Sequence, residues 1–116
     1  DLVDALEAAV EGTCSSMTIN WRDGACVCAV AASLGYPENP QLGKEIFIDA
    51  DRAQKDGALV FHAGTRLDGE TLVTSGGRVL NVVSTGGSVE EAASRAYRGL
   101  SHVSFEGMWF RNDIGS

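Results

Sequence analysis

The chain has 116 residues, a formal net charge of −7 at pH 7 and an apolar fraction of 44%. This length predicts one domain with an ordinary core, and the charge argues against nucleic acid or an anionic membrane as a general partner. No apolar run approaches the roughly 20 residues that cross a bilayer. The N-terminus shows no basic segment followed by an apolar one, so we expect no signal peptide.

The first predicted element is a helix over residues 1–11. Its apolar residues recur at i, i+4 and i+8, as Leu2, Leu6 and Val10, and therefore form one stripe. Asp1 is a candidate N-cap for this helix. Because the sequence starts without a methionine or a lead segment, we expect a fragment of a longer protein.

Residues 17–21 alternate loosely between polar and apolar, as a half-buried strand does. A turn at 22–24 then leads into the continuous apolar run 25–32, which predicts a strand buried on both faces. Together these segments predict a first hairpin. The loop 35–44 contains both prolines of the chain; it is either a surface connection or a functional loop.

The three cysteines are Cys14, Cys26 and Cys28. An odd number outside a secreted context predicts reduced thiols and a cytoplasmic location. Cys26 and Cys28 lie two apart, so they share one face of the strand. We expect them to be small buried side chains rather than metal ligands, because no further ligand lies nearby in sequence.

A short strand is predicted at 46–48, followed by a polar turn or a single helical turn at 50–57. A second hairpin is predicted from the runs 59–65 and 72–84, which are rich in β-branched residues. They are joined by residues 66–71, which include an Asp-Gly turn pair.

The last helix begins with a capping box, in which Ser88 accepts a backbone hydrogen bond and Glu91 reaches back. Arg95 and Arg98 lie outside its apolar stripe and are predicted to be solvated. The stripe consists of Val89, Ala92, Ala93, Ala96, Tyr97, Leu100 and Val103.

Residues 105–114 are predicted to form a strand or an extended tail, with Met108, Trp109 and Phe110 packed into the core. The elements together predict an α+β fold. In it, a small, largely antiparallel sheet carries one long helix on one face, with a further helix at the N-terminus.

The second hairpin carries a cluster of polar residues and glycines. Glycine allows a ligand to approach backbone amides closely, and hydroxyls with an arginine can hold a phosphate or carboxylate. The candidate substrate-binding residues are His62, Gly64, Thr65, Ser75, Gly76, Gly77 and Arg78. The alternatives are a β-bulge at the glycine pair, a solvated arginine and a structural histidine.

No residue is assigned a catalytic or metal-binding role. Histidine is the side chain best suited to proton transfer near neutral pH, but no serine or cysteine nucleophile lies beside His62 in sequence. The chain contains neither a Walker-type phosphate loop nor a dinucleotide fingerprint. Asp49 and Asp51 lie in a polar, turn-like segment and are predicted to be solvated rather than to bind magnesium.

Five segments, in this order along the chain, resemble the C-terminal domain of the phosphoribosylamine–glycine ligases, also called glycinamide ribonucleotide synthetases. This family belongs to the ATP-grasp superfamily. The segments are 32–37, 43–44, 60–65, 72–80 and 105–115.

The resemblance implies a fold of the rudiment single hybrid type. It also implies that residues 1–12 are the end of an ATP-grasp domain and that residues 13–116 are the ligase C-terminal domain.

This family joins glycine to 5-phosphoribosylamine in de novo purine (IMP) biosynthesis, and ATP is hydrolysed to ADP and phosphate. The resemblance implies ATP and Mg²⁺ (or Mn²⁺) in the full-length enzyme, none of them bound to this fragment. It implies the rest of the ligase as the partner, with glycine and phosphoribosylamine as substrates. The fragment is then inactive alone and lines the substrate site with the seven candidate residues. A non-catalytic interaction module that retains the fold is the alternative.

Overall fold

The structure is a computed structural model that describes residues 2–116, so the predicted N-cap at Asp1 lies outside the described residues. The helices are α1 (Leu2–Glu11), α2 (Ala50–Lys55) and α3 (Val89–Leu100), with a 3₁₀ turn at Cys14–Ser16. The strands are β1 (Ala25–Ala32), β2 (Ile46–Ile48), β3 (Ala58–His62), β4 (Thr65–Asp68), β5 (Thr71–Thr74), β6 (Arg78–Gly86) and β7 (Val103–Phe105).

The strands form three small sheets, and every pairing in them is antiparallel. The largest has the order β1-β6-β3, and the other two are the pairs β2-β7 and β4-β5. The predicted α+β fold is therefore confirmed, although its strands divide among three sheets. The central strand is β6, which is nine residues long and pairs along both of its edges.

Helix α3 covers one face of the three-stranded sheet. The predicted cap is present: Ser88 Oγ accepts a hydrogen bond from the Glu91 amide at 3.2 Å. The Glu91 carboxylate in turn accepts one from the Gly87 amide at 2.7 Å. Four residues of the predicted stripe lie on α3 and are buried against the strands: Ala92, Ala93, Ala96 and Leu100. Val103, the last residue of the predicted stripe, is also buried but lies in β7, because α3 ends at Leu100. The small size of the three alanines lets the helix lie close to the sheet.

The predicted hairpin between residues 17–21 and 25–32 is wrong. The structure has no strand over residues 17–24, and β1 pairs instead with β6, from Ala25 opposite Gly86 onward. Strand β6 forms an antiparallel ladder with all eight residues of β1 across a long sequence separation, whereas residues 17–21 form no ladder with β1.

The expected burial of Cys26 and Cys28 is also wrong, because both thiols are free and exposed. Strand β1 is buried on one face only, through Val27, Ala29 and Ala31. Alternation along the strand sends the cysteines to the opposite face, which no element of residues 2–116 covers.

The predicted second hairpin is confirmed in its connectivity, but each of its two strands is interrupted. Strands β3 and β6 pair at its base, and β4 and β5 pair at its tip. The interruptions fall at residues 63–64 and 75–77, where the glycines lie. The chain bends there, so the tip forms a separate sheet.

The C-terminal tail is only partly buried. Met108 packs against the core, but the expectation that Trp109 and Phe110 do so is wrong, since they are 41% and 37% exposed. Trp109 instead pairs with Ala32 at the edge of β1. The ring of Phe110 lies 6.2 Å from that of Tyr97.

Helix α1 follows its predicted bounds but buries none of its side chains. Its apolar stripe is therefore uncovered within the described chain. Over residues 2–116, no helix combines the length and apolarity that crossing a membrane requires.

Candidate functional site

The uncovered face of the three-stranded sheet, which we call the open face, carries half-buried and exposed side chains from all three strands. They are Cys26, Cys28 and Val30 on β1, Asn81 and Val83 on β6, and Leu59 and Phe61 on β3. The pairing register places these residues opposite one another, so they form a continuous surface.

A β-bulge turns Arg78 toward the open face. Strict alternation would give Arg78 the orientation of Leu80 and Val82, which are buried under α3. The register shifts, however: Ala31 lies opposite Leu80, whereas Ala32 lies opposite Arg78, and Val79 is the extra residue. Bulges re-aim side chains in this way. The bulge lies at Val79 and not at the Gly76-Gly77 pair, where the sequence suggested one as the alternative.

Gly64 and Gly76 bring two backbone segments into direct contact. The Gly64 amide donates to the Arg78 carbonyl at 2.8 Å, and the Ser75 amide donates to the Gly64 carbonyl at 2.7 Å. A Cβ on Gly64 would lie 2.6 Å from the Arg78 carbonyl oxygen and 2.7 Å from the Gly76 Cα. A side chain at Gly64 is therefore excluded, because backbone atoms cannot yield as a flexible side chain does.

The amides of Gly76 and Gly77 donate no hydrogen bond within residues 2–116. Arg78 likewise forms no ion pair or side-chain hydrogen bond with the described residues. Residues 76–78 therefore carry two unpaired backbone amides followed by an unpaired guanidinium. Such donors suit an anion, since backbone amides and arginine are the groups that proteins use to hold phosphate and carboxylate.

A cavity of about 630 Å³ opens beside these donors. It is lined by Val30, Tyr36, Ala63, Gly64, Gly77, Arg78 and Asn81. A smaller cavity of about 180 Å³ lies next to it, and Tyr36, Arg78 and Val30 line both. Tyr36 and Asn81 line the cavity but were not predicted as site residues. The signal for Asn81 was a single polar residue within the apolar run of β6.

The structure brings together only part of the predicted set. Gly64, Gly77 and Arg78 line one cavity, and Gly76 adjoins them. His62 and Thr65 bond to each other, with 3.1 Å between Nδ1 and Oγ1, and neither lines the cavity. His62 lies opposite Leu80, so alternation places it on the α3 side of the sheet.

The other ionisable groups at the cavities are less available than Arg78. Arg111 lines the smaller cavity and donates to Asp113, with 2.8 Å between Nε and Oδ1. This hydrogen bond lowers the pKa of Asp113 and raises that of Arg111. Partial burial, and then the neighbouring Cys26, raise the pKa of Cys28. Its thiol is therefore protonated at neutral pH and is a poor nucleophile.

The described residues do not fit a metal ion. Nowhere in residues 2–116 do three or more His, Cys, Asp or Glu side chains group so as to hold one. Asp49 caps α2 by accepting the Arg52 amide at 3.1 Å. A cavity of about 880 Å³ between α1 and residues 19–26 contains none of the predicted site residues.

Residues 26–116 match the family described as "Phosphoribosylglycinamide synthetase, C domain". The chain belongs to this family. Its resemblance to the phosphoribosylamine–glycine ligases, read from five segments, is thereby confirmed at the level of family and domain.

Relatives of known identity support this assignment. The chain is 49% identical over its full length to a phosphoribosylamine–glycine ligase from Chlorobaculum tepidum, and 42% identical over 99% of its length to one from Mesorhizobium japonicum. It covers 27% of each of those proteins. A crystal structure of the Thermotoga maritima phosphoribosylamine–glycine ligase is similar, with a TM-score of 0.75 and 35% identity. That similarity covers 94% of this chain and 27% of the solved one.

Proposed function

We propose that this C domain is part of a phosphoribosylamine–glycine ligase of purine biosynthesis and that its open face lines the site for phosphoribosylamine. The proposal rests on one observation above the others. A bulge turns Arg78, which has no partner in the described chain, toward a cavity that also borders the unpaired Gly77 amide. The anion best matched to these donors is the 5-phosphate of phosphoribosylamine, which arginine can bind in a bidentate manner.

In the proposed reaction, the glycine carboxylate first accepts the γ-phosphoryl group of ATP and becomes an acyl phosphate, with release of ADP. The amine of phosphoribosylamine then attacks the acyl carbon, the amide bond forms, a proton leaves the nitrogen and inorganic phosphate departs. Arg78 and the glycine amides hold the phosphoribosyl group so that its amine lies near the acyl carbon. This contribution is positioning rather than proton transfer.

ATP and Mg²⁺ (or Mn²⁺) belong, in this proposal, to an ATP-grasp domain that precedes this one. Residues 2–116 contain no grouped metal ligands, so the proposed role of this domain is to bind the phosphoribosyl group. The predicted boundary, with residues 1–12 ending the ATP-grasp domain and 13–116 forming the C domain, stays a proposal. It is supported by α1, whose side chains are all unburied in this chain.

The rest of the ligase is the proposed partner of the open face. Leu59 and Phe61 are both more than half exposed there, and apolar surface of this kind marks an interaction site. His62, Thr65 and Ser75 are assigned an indirect role, because none of them lines the cavity. The His62–Thr65 bond and the Ser75 amide, which donates to the Gly64 carbonyl, support the bend at Gly64. We also propose a cytoplasmic location, which suits the three free cysteines.

Replacement of Arg78 by alanine tests the proposal in the ligase that carries this domain. We expect the KM for phosphoribosylamine to rise at least tenfold, because a charged hydrogen bond contributes about 1.5–3 kcal/mol. The KM values for ATP and glycine should change less than twofold. Arg98→Ala is the matched control. Arg98 lies on α3, which packs on the other face of the sheet from the cavity, and its guanidinium donates a hydrogen bond to the Ser94 hydroxyl.

Unchanged kinetics in the Arg78→Ala ligase would remove Arg78 from the substrate site. The rival function, a non-catalytic interaction module, makes a different prediction about the gene. If the reading frame upstream of Asp1 encodes no ATP-grasp domain, the module is favoured and the ligase proposal fails.

A further inference from the structure

Ser33 lies between the end of β1 and the Gly76-Gly77 pair, and it is 1% exposed. Its backbone amide donates to the Gly77 carbonyl at 2.8 Å. Its hydroxyl donates to the Gly76 carbonyl at 3.0 Å. One buried residue therefore holds both carbonyls of the glycine pair, across more than 40 positions of sequence.

Ser33 is itself held from the other side. Its carbonyl accepts hydrogen bonds from Trp109 Nε1 at 3.2 Å and from the Tyr36 amide at 3.1 Å. The preceding residue, Ala32, pairs with the Trp109 backbone in both directions, at 2.9 and 3.0 Å. These hydrogen bonds hold the backbone at Ser33 in place.

Because the peptide bond is planar, the hydrogen bond from Ser33 to the Gly76 carbonyl also sets the direction of the Gly77 amide. In a trans peptide the carbonyl and the following amide point in opposite directions. Because the Gly76 carbonyl points at the Ser33 hydroxyl, the Gly77 amide points away from Ser33. Gly77 lines the cavity, and its amide is one of the unpaired donors. Glycine has no side chain to restrict its backbone, so the hydroxyl supplies a restraint that the glycine pair lacks.

Tyr36 limits the same bend by contact. A Cβ on Gly77 would lie 2.1 Å from Cδ2 of the Tyr36 ring, so the ring packs directly over this glycine. The ring leaves the bend little room to move, whereas the Ser33 hydroxyl sets the direction of its peptide plane.

We propose that Ser33 is a positioning residue: its hydroxyl orients the Gly76–Gly77 peptide so that the Gly77 amide and Arg78 together bind the substrate anion. This inference rests on the proposed function of the site. It assigns Ser33 no contact with the substrate, since Ser33 lines neither of the two cavities that border Arg78.

The test is Ser33→Ala in the full-length ligase, measured by steady-state kinetics with phosphoribosylamine varied. We expect its KM to rise about fivefold or more, while kcat and the KM values for ATP and glycine change less than twofold. Ser33→Cys serves as a second variant that fills the same space with a weak donor, and its KM should also rise.

Ser84→Ala is the matched control. Ser84 is also buried, at 3% exposure, and its hydroxyl also donates to a backbone carbonyl, that of Ala92 on α3. Loss of its hydrogen bond should lower Tm about as much as Ser33→Ala does, with no change in the KM for phosphoribosylamine. A KM increase in Ser84→Ala equal to that in Ser33→Ala would mean that general destabilisation explains both, and the inference would be overturned.

A double-mutant cycle with Arg78→Ala completes the test. If Ser33 acts through the shared anion site, the combined variant should show a smaller KM increase than the product of the two single increases. A fully multiplicative effect would overturn the positioning role. If the KM for phosphoribosylamine rises in Arg78→Ala but in neither Ser33 variant, the positioning role of Ser33 is overturned while the proposed function stands. If this KM rises in none of the three variants, the proposed function itself is contradicted.

Discussion

The two faces of the β1-β6-β3 sheet are made by the same strands, yet they differ in composition and in exposure. The face under α3 consists mainly of small and branched apolar residues, such as Ala29, Ala31 and Val82, with almost no exposure. The open face carries two thiols, an amide and two large apolar side chains that water reaches. Helix α3 packs on the first face, whereas no element of residues 2–116 covers the second.

The two faces therefore suit different roles, one structural and one in binding. On the covered face, close packing leaves no room for a ligand. On the open face, a bulge and three glycines expose backbone donors and Arg78, features that weaken a sheet but suit a binding site. Stability should therefore depend on the covered face, and substrate binding on the open one.

The largest effect on stability should come from Leu100→Ala. This substitution truncates a side chain at the end of α3 that is 1% exposed and packs in the core. We expect the free energy of unfolding to fall by about 2–5 kcal/mol, because the cavity cannot fully collapse. Urea denaturation of this chain measures it. Leu59→Ala, on the open face, is the control and should cost much less. Equal losses at the two positions would contradict the distinction between the faces.

A smaller loss is expected from Gly99→Ala, where α3 packs closely on β3 and β6. The new Cβ would lie 2.5 Å from the Ala58 Cβ and 2.9 Å from Val82 Cγ1. Alanine favours a helix over glycine by about 1 kcal/mol, but overpacking costs about 1–3 kcal/mol. We expect a net decrease in Tm. Ser94→Ala, at an exposed position of the same helix, should leave Tm unchanged or slightly raised; a stabilised Gly99→Ala chain would show that the contact is loose.

The smallest effect should come from Phe61→Thr on the open face, where Phe61 is 51% exposed. Threonine keeps a strong β preference, so the free energy of unfolding of this chain should change by about 0.5 kcal/mol or less. In the full-length ligase the same substitution should lower Tm measurably, because the rest of the enzyme is proposed to cover this face. An equal response in the chain and in the ligase would show that the open face is not an interface.

Much of the fold follows from local sequence patterns. The capping box at Ser88 predicted where α3 begins, and the alanines at helical spacing predicted which side of it is buried. The Asp68-Gly69 pair predicted the turn between β4 and β5, and the polar residues beside glycines drew attention to Arg78. These features rest on hydrogen bonds and side-chain spacings within a few residues, so the order of residue types is enough to predict them.

Pairing across long separations was not predictable in this way. The run 25–32 is apolar throughout, so its pattern could not show that β6, rather than residues 17–21, would pair with it, nor that only one of its faces would be covered. The burial of Cys26 and Cys28 was mispredicted for that reason.

The order of residues was enough to indicate the family of this chain, its helices, and the glycines and arginine of the candidate site. The face that Arg78 occupies follows instead from the folded sheet, because one extra residue at Val79 reverses the alternation that the sequence implies. The hydrogen bonds of Ser33 to Gly76 and Gly77 likewise join segments that are adjacent only after folding.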